Sequence, residues 1–191
     1  GLNYIDTYHR RGIYPVPLPS GMGLEAAGRI IAIGDGVEGF AEGDRVATFG
    51  PLLGAYATHR NIAAEHLFRL PDNIDDKTAA AAILKGCTTE FLIERCGKVE
   101  KGWTVLVHAA AGATGLLLVQ WLNHIGAEVI GTVSTEAKAE AAKAAGAHHV
   151  IFYKEEDTAA RTREITGGDG DRVTFDGIGR STWEASLAAT G

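Results

Sequence analysis

The chain has 191 residues, and its 46% hydrophobic and 22% charged residues are typical of one large globular domain or two small ones. A net charge of -6 argues against a broad surface for nucleic acid, so nucleic acid is not an expected partner. The apolar stretches are too short to cross a bilayer, which predicts no membrane-spanning segment. Cys87 and Cys96 are too few for a disulfide framework or a structural zinc site, and we expect a reducing cytoplasm.

Residues 1–82 consist of short β-like runs that are separated by glycine- and proline-rich turns. Strands are predicted over residues 27–34, 44–50 and 54–64. This texture predicts a mostly-β barrel or sandwich.

Residues 83–191 alternate strands with helices. Predicted strands cover residues 104–109, 128–133, 148–153 and 171–176, and predicted helices cover residues 115–126, 134–147, 155–168 and 180–190. Such alternation predicts right-handed crossovers and a parallel sheet that is covered on both faces. The expected fold class is therefore α/β. Because the chain starts without Met and ends in a helix-like run, we expect it to be a piece of a longer protein.

The stretch "HAAAGATG", residues 108–115, joins the first of these strands to the first helix. A helix start favours phosphates through its free N–H groups and its dipole. Gly112 would let the backbone approach a pyrophosphate, Gly115 would allow close helix–strand packing, and Thr114 can donate its hydroxyl. Ala110 stands where the dinucleotide fingerprint has a glycine, which requires a negative φ there. By itself the loop is equally consistent with small residues that serve only the close packing of strand and helix and bind no ligand.

The end of the second strand indicates which dinucleotide would bind. An NAD-selective site usually carries an acid there, whereas this chain has Ser134, with Lys138 one helical turn further on. A hydroxyl and an ammonium suit a 2′-phosphate, and Tyr153, at the end of the third strand, can close the same pocket. Although Lys138 alone fits a solvated helix lysine and Glu136 is nearby, the set favours NADP over NAD.

Several motifs resemble, in the right order, the zinc-free NADPH:quinone oxidoreductases of the medium-chain dehydrogenase/reductase superfamily, the zeta-crystallin-like group. They are "NYIDTYHRRGIYP", "GLEAAGRIIAIGDGV" followed by "EGDRV", the junction helix "LPDNIDDKTAAAAILKGCTTEFLI", and "VLVHAAAGATG". The resemblance implies a GroES-like barrel over residues 1–82 and an NADP-binding Rossmann domain over residues 83–191, both incomplete, with the active site in the cleft between them. It also implies NADPH as cofactor, a quinone or enone as substrate, and a homodimer.

Individual site residues follow from the same resemblance. Asn3 and Tyr8 are expected beside the nicotinamide ring as the catalytic residues, and Tyr8 is the best candidate to bond an acceptor oxygen. "FDGIG" after the fourth strand brings Gly177 to the nicotinamide half, unless it is a plain strand-to-helix turn. The expected cofactor-binding set is Asn3, Thr88, Gly112, Ala113, Thr114, Gly115, Ser134, Lys138, Tyr153 and Gly177.

Departures from the family pattern leave alternatives open. Ala113 replaces a usual glycine, and we expect it to crowd the pyrophosphate. Asn3, Leu24 and Leu84 stand where zinc relatives place ligands, and leucine binds no zinc, so no metal is predicted. His108 is expected to be a packed histidine. The alternatives to quinone reduction are an enoyl or 2-alkenal reductase on the same fold and a non-catalytic crystallin-like or RNA-binding protein.

Overall fold

The computed structural model describes residues 1–50 and 52–191. The chain forms two compact units, Gly1–Lys85 and Gly86–Gly191. Within the described residues, every helix is too short or too polar to pass through a membrane.

The first unit contains a small antiparallel sheet. Its strands are β1 (Glu25–Arg29), β2 (Arg45–Phe49) and β3 (Phe68–Arg69), in the order β1-β2-β3. Helix α1 (Tyr4–Arg10) precedes the sheet, a short 3-10 turn (Ala64–His66) precedes β3, and α2 (Asp76–Glu90) follows it. Ala47 faces Ala27 on one side and Phe68 on the other, which places β2 at the centre of the sheet.

Two strand predictions for this unit are wrong: the first strand ends earlier than predicted, and the third does not form in the described residues. The first strand ends at Arg29, where the pairing with β2 also ends, and Ile31 and Ile33 beyond it are exposed. Residues 54–64 form no strand in the described chain, because the backbone turns instead. Gly54 has φ +121°, and the N–H of Tyr56 bonds to Met22 rather than to a neighbouring strand.

The second unit has a four-stranded parallel sheet in the order β6-β5-β4-β7. Its strands are β4 (Thr104–Val107), β5 (Glu128–Val133), β6 (His149–Phe152) and β7 (Val173–Phe175). Its helices are α3 (Ala113–Ile125), α4 (Glu136–Ala145), α5 (Thr158–Ile165) and α6 (Trp183–Ala189), and a π-helical segment (Phe91–Gly97) follows α2. The predicted α/β class and parallel sheet are confirmed.

Apolar side chains cover both faces of the parallel sheet, as predicted. Along β4, Val105 and Val107 belong to one buried cluster with Val119 and Leu122 of α3. Leu106 lies between them in sequence and belongs to a second cluster, with Ile130, Ile151 and Ala189. Alternate residues of a strand point to opposite faces, so the two clusters pack on the two sides of the sheet.

Helix α3 packs very closely on the end of β4. A Cβ built on Gly115 would collide with the carbonyl of Ala109 and would lie 2.9 Å from Ala110 Cα. Only glycine leaves room for this approach, so the predicted packing role of Gly115 is confirmed.

We expect Gly115→Ala to lower the free energy of unfolding by about 1–3 kcal/mol, because the added methyl group must push the backbone apart. Gly86→Ala is the matched control. Gly86 lies inside α2, and its Cβ would meet no atom within 4 Å, so this change should stabilise the helix by up to about 1 kcal/mol. Urea unfolding of both variants measures the difference, and equal effects would contradict the steric explanation.

Candidate functional site

The loop after β4 presents the start of α3 at the carboxyl end of the sheet. Gly112 is the N-cap, and its N–H donates to the Ala109 carbonyl at 2.8 Å. The first helical bond runs from Leu116 N–H to Gly112 O at 2.8 Å, and in the described chain the N–H groups of Ala113, Thr114 and Gly115 find no backbone acceptor before it. Three such N–H groups at a helix start fit a pyrophosphate.

The residue with the unusual backbone conformation in this turn is Ala109, one position before Ala110. Ala110 keeps a negative φ, as the missing glycine required, but Ala109 adopts φ +51° and so carries the left-handed conformation. Ala110 is fully buried and points toward Gly131, where an added Cβ would lie 2.7 Å from the Ala110 methyl group. The strand consequently ends at Val107 and not at Ala109.

A chain of side-chain hydrogen bonds holds this turn. Thr132 Oγ1 accepts the Ala109 N–H at 3.2 Å and lies 3.2 Å from His108 Nδ1. His108 Nε2 lies 3.1 Å from Ser186 Oγ, which donates to Asp176 Oδ2 at 2.7 Å. Because Ser186 donates to the carboxylate, it accepts from His108, which places the proton of the neutral imidazole on Nε2 and leaves Nδ1 to accept from Thr132. The packed histidine that the sequence predicts is therefore also a hydrogen-bonded link.

The ionisation of this chain is fixed by burial and hydrogen bonding. Burial lowers the pKa of His108, and the attraction of Asp176 only partly offsets that effect. For Asp176, partial burial raises the pKa, but donors from Gly179, Thr182, Ser186 and Ile178 outweigh it and lower the pKa to about 2. At neutral pH the histidine is thus uncharged and the aspartate is ionised.

The turn after β7 is shaped by the same carboxylate. Asp176 Oδ1 accepts from the N–H groups of Ile178 and Gly179, both at 2.9 Å. Gly179 has φ +83°, which explains its glycine. Gly177 has no such requirement, and a Cβ there would meet no described atom within 4 Å. Its exposed backbone leaves room for a ligand beside the carboxyl end of β7.

Three residues expected at a 2′-phosphate come together at the ends of β5 and β6. Val133 faces Phe152 across these strands, so the residues that follow, Ser134 and Tyr153, are neighbours. The ammonium of Lys138 lies 3.2 Å from Ser134 Oγ. Tyr153 is 45% exposed, which leaves the ring available to a ligand.

The two predicted catalytic residues lie in the first unit. Asn3 is buried, its backbone N–H donates to Asp6 at 2.9 Å, and its amide donates to Glu25 Oε1 at 2.8 Å. Tyr8 is half-buried on α1, and its ring makes edge contacts with Tyr4 and Tyr14, both with centroids 5.3 Å apart.

Tyr56 can be set aside as an acid or base near Asn3. Burial and a 2.6 Å hydrogen bond to Asp6 raise the pKa of Tyr56 to about 12. Its hydroxyl therefore stays protonated and serves to hold the side chain of Asp6, which also accepts the backbone N–H of Asn3, the N-cap of α1.

Thr88, the remaining predicted cofactor residue, is half-buried on α2. Sequence reasoning missed two features of the molecule: the ion pair of Glu25 with Lys85, and the link through Ser186. The signals for the first were a lone acid at the start of β1 and a lone lysine within "AAAAILKGC".

The residues present do not fit a catalytic zinc. Leu24 and Leu84 offer no ligand atom, and the amide nitrogen of Asn3 is engaged with Glu25. Nowhere in residues 1–50 and 52–191 do three histidine, cysteine or acidic side chains gather as metal ligands would.

Two family models match the chain. The alcohol dehydrogenase GroES-like domain matches residues 1–72, and the zinc-binding dehydrogenase model matches residues 113–191. The first model confirms the predicted GroES-like portion, which contains the antiparallel sheet.

Curated relatives agree with these models. The chain is 47% identical to a quinone oxidoreductase of Pseudomonas aeruginosa and 48% identical to quinone oxidoreductase 1 of Escherichia coli, over 98% of this chain and 58% of each relative. It is also 47% identical to a 2-haloacrylate reductase of Burkholderia sp, with the same coverage. The chain therefore spans somewhat more than half the length of the relatives it matches.

Solved structures are similar over the whole chain. A quinone oxidoreductase of Pseudomonas syringae has a TM-score of 0.97 at 46% identity, covering 100% of this chain and 59% of that one. The Escherichia coli quinone oxidoreductase, solved in complex with NADPH, has a TM-score of 0.97 at 47% identity with the same coverage.

The depressed pKa of His108 predicts a pH dependence of stability. As the pH falls below the ordinary value of 6.5, the unfolded chain binds a proton that the folded chain resists, so the free energy of unfolding falls. We expect His108→Gln to lower stability at pH 7.5 but to remove part of the further loss between pH 7 and pH 5. Urea titrations at several pH values measure both slopes, and parallel slopes would show that His108 is not the titrating group.

Proposed function

The chain belongs to the medium-chain dehydrogenase/reductase superfamily and is homologous to its quinone oxidoreductases, and we propose that the protein reduces a quinone with NADPH. The observation that carries the proposal is the arrangement at the carboxyl end of the parallel sheet. There the N–H groups at the start of α3 suit a pyrophosphate, and Ser134 with Lys138 suits a 2′-phosphate.

We assign the cofactor contacts of the second unit as follows. Ala113, Thr114 and Gly115 bind the pyrophosphate through backbone N–H groups, the Thr114 hydroxyl is a further donor, and Gly112 lets the phosphates approach the helix start without a side chain in the way. Ser134, Lys138 and Tyr153 bind the adenosine 2′-phosphate. Gly177 and Thr88 contact the cofactor toward its nicotinamide end. The loop residues match this role because an N-cap glycine leaves the phosphates free access to the helix start.

Bound NADPH supplies a hydride, which leaves the protein to orient the acceptor and to exclude water. In the first unit we assign that work to Asn3 and Tyr8. Within the described residues the Tyr8 hydroxyl makes no hydrogen bond, so it is available to an acceptor oxygen. Hydride addition removes no proton from the acceptor, so the reaction requires no general base, and we assign no such role to the buried His108. The predicted homodimer and the cytoplasmic location remain predictions.

A second acceptor class is supported by one specific observation. A 2-haloacrylate reductase is as similar to this chain as the quinone oxidoreductases are. Its acceptor is a carbon–carbon double bond conjugated to a carboxylate, which takes hydride at carbon as an enone does. An enoyl-type reductase is therefore the alternative function.

Cofactor choice is tested at Lys138. Lys138→Met should raise KM for NADPH about 10-fold or more, because a charge-assisted hydrogen bond to the phosphate is lost, while KM for NADH and kcat change little. Lys143→Met is the matched control, since Lys143 is exposed in the last turn of the same helix. Initial rates with both cofactors measure the effect. Equal changes for NADPH and NADH would remove Lys138 from the 2′-phosphate site.

Acceptor choice is tested by turnover with quinones and with enals or 2-haloacrylates, for the wild type and for Tyr8→Phe. We expect faster turnover of quinones, and a kcat about 10-fold lower for Tyr8→Phe because an oxygen-bonding hydroxyl is lost. Tyr4→Phe is the control, since Tyr4 contacts Tyr8 and is 75% exposed. Faster turnover of the alkenes would favour the alternative function, and an unchanged kcat for Tyr8→Phe would end its assigned role.

A further inference from the structure

A buried ion pair between Glu25 and Lys85 contacts the side-chain amide of Asn3. The side chain of Glu25 is 0% exposed and that of Lys85 is 10% exposed, with Lys85 Nζ 2.5 Å from Glu25 Oε1. Removing two charges from water costs several kcal/mol for each, and an apolar pair of similar size is often as stable. Stability alone is therefore a weak explanation for this pair.

The carboxylate of Glu25 gathers three donors from separate parts of the first unit. Oε1 accepts from Lys85 and from the Asn3 amide nitrogen at 2.8 Å, while Oε2 accepts from the backbone N–H of Leu84 at 2.9 Å. Glu25 thereby ties the start of β1 to the residue before α1 and to the middle of α2.

The chemistry of an ionised carboxylate determines which end of the Asn3 amide it binds. A carboxylate only accepts hydrogen bonds, whereas the amide offers donors on nitrogen and an acceptor on oxygen. The nitrogen of Asn3 must therefore face Glu25, and the carbonyl oxygen must lie on the other side of the amide group. The ammonium of Lys85 balances the charge, so that a group that only accepts can remain buried.

We propose that Glu25, balanced by Lys85, is a positioning residue that fixes the orientation of the Asn3 amide before the cofactor binds. The inference rests on the proposed function, because it matters only if Asn3 contacts the nicotinamide half of NADPH. An amide held in this way loses no rotational freedom on binding and presents the same groups in every turnover.

The test compares two neutral double variants that differ in one respect. Glu25→Gln with Lys85→Met removes both charges but leaves an amide oxygen that can accept from Asn3. Glu25→Met with Lys85→Met removes the charges and the acceptor. We expect the two double variants to have similar melting temperatures. The kcat of the methionine pair, however, should be about 10- to 100-fold lower than that of the glutamine variant. The same kcat for both pairs would overturn the proposal.

A measurement on the cofactor-free protein is independent of turnover. In wild type, the side-chain NH₂ resonances of Asn3, assigned by their loss in Asn3→Ala, should be well separated and protected from exchange with water. They should stay so in the glutamine variant and collapse toward free-amide values in the methionine pair. Unchanged Asn3 resonances in the methionine pair would contradict the proposal directly.

Asn3→Ala separates this inference from the proposed function, and on its own it keeps the inference testable if the methionine pair does not fold. A positioning role predicts that kcat falls in Asn3→Ala and that adding Glu25→Met with Lys85→Met lowers it no further. A further fall means that Glu25 acts elsewhere and overturns the inference alone. An unchanged kcat in Asn3→Ala overturns both the inference and the assigned role of Asn3, and absence of NADPH-dependent turnover in wild type overturns the proposed function.

Discussion

The contact of Gly115 with the carbonyl of Ala109 is the constraint on which the second unit depends. Since α3 approaches the end of β4 this closely, the chain must reverse within a few residues. Ala109 accomplishes this with a left-handed φ, a conformation that a residue with a Cβ adopts only under constraint. The bond from its N–H to Thr132 supplies part of that constraint. The N–H groups of the helix start that lack a backbone acceptor are thus a product of packing, and the ligand need not create them.

In each unit an ionised carboxylate accepts hydrogen bonds from, or next to, residues that we assign to the cofactor. Asp176 organises the turn that contains Gly177 and, through Ser186, the loop at His108. Glu25 holds Asn3. Both carboxylates are surrounded by donors, so both behave as fixed acceptors that set the direction of neighbouring groups. The order Asp176–Ser186–His108 also excludes a hydrolase triad, in which the histidine lies between serine and acid.

Much of the fold could be predicted because it depends on local pattern. The strand–helix alternation after residue 83 and the small residues from Ala109 to Gly115 are regular signals, and the sheet followed them. The strand prediction for residues 54–64 was wrong because the alternating residues around Tyr56 resemble a strand. The conformation there depends instead on distant hydrogen bonds, from the Tyr56 N–H to Met22 and from the Tyr56 hydroxyl to Asp6. The links through Glu25 and Ser186 join residues 60 and 78 positions apart, and no local pattern contains such separations.

The ionisation states favour a reaction in which positioning does most of the work. The buried histidine near the loop is held neutral, the Tyr56 hydroxyl is held protonated, and Asp176 is held ionised across the neutral range. None of the three titrates near pH 7, so none is suited to exchange protons with an acceptor during turnover. Hydride transfer needs no such group for its own step, and the proton that completes a hydroquinone can come from water after the hydride has moved. Under the proposed function, the neutral donors of Tyr8 and Asn3 select the acceptor by position alone, which is consistent with the presence of quinone oxidoreductases and a 2-haloacrylate reductase among relatives of similar identity.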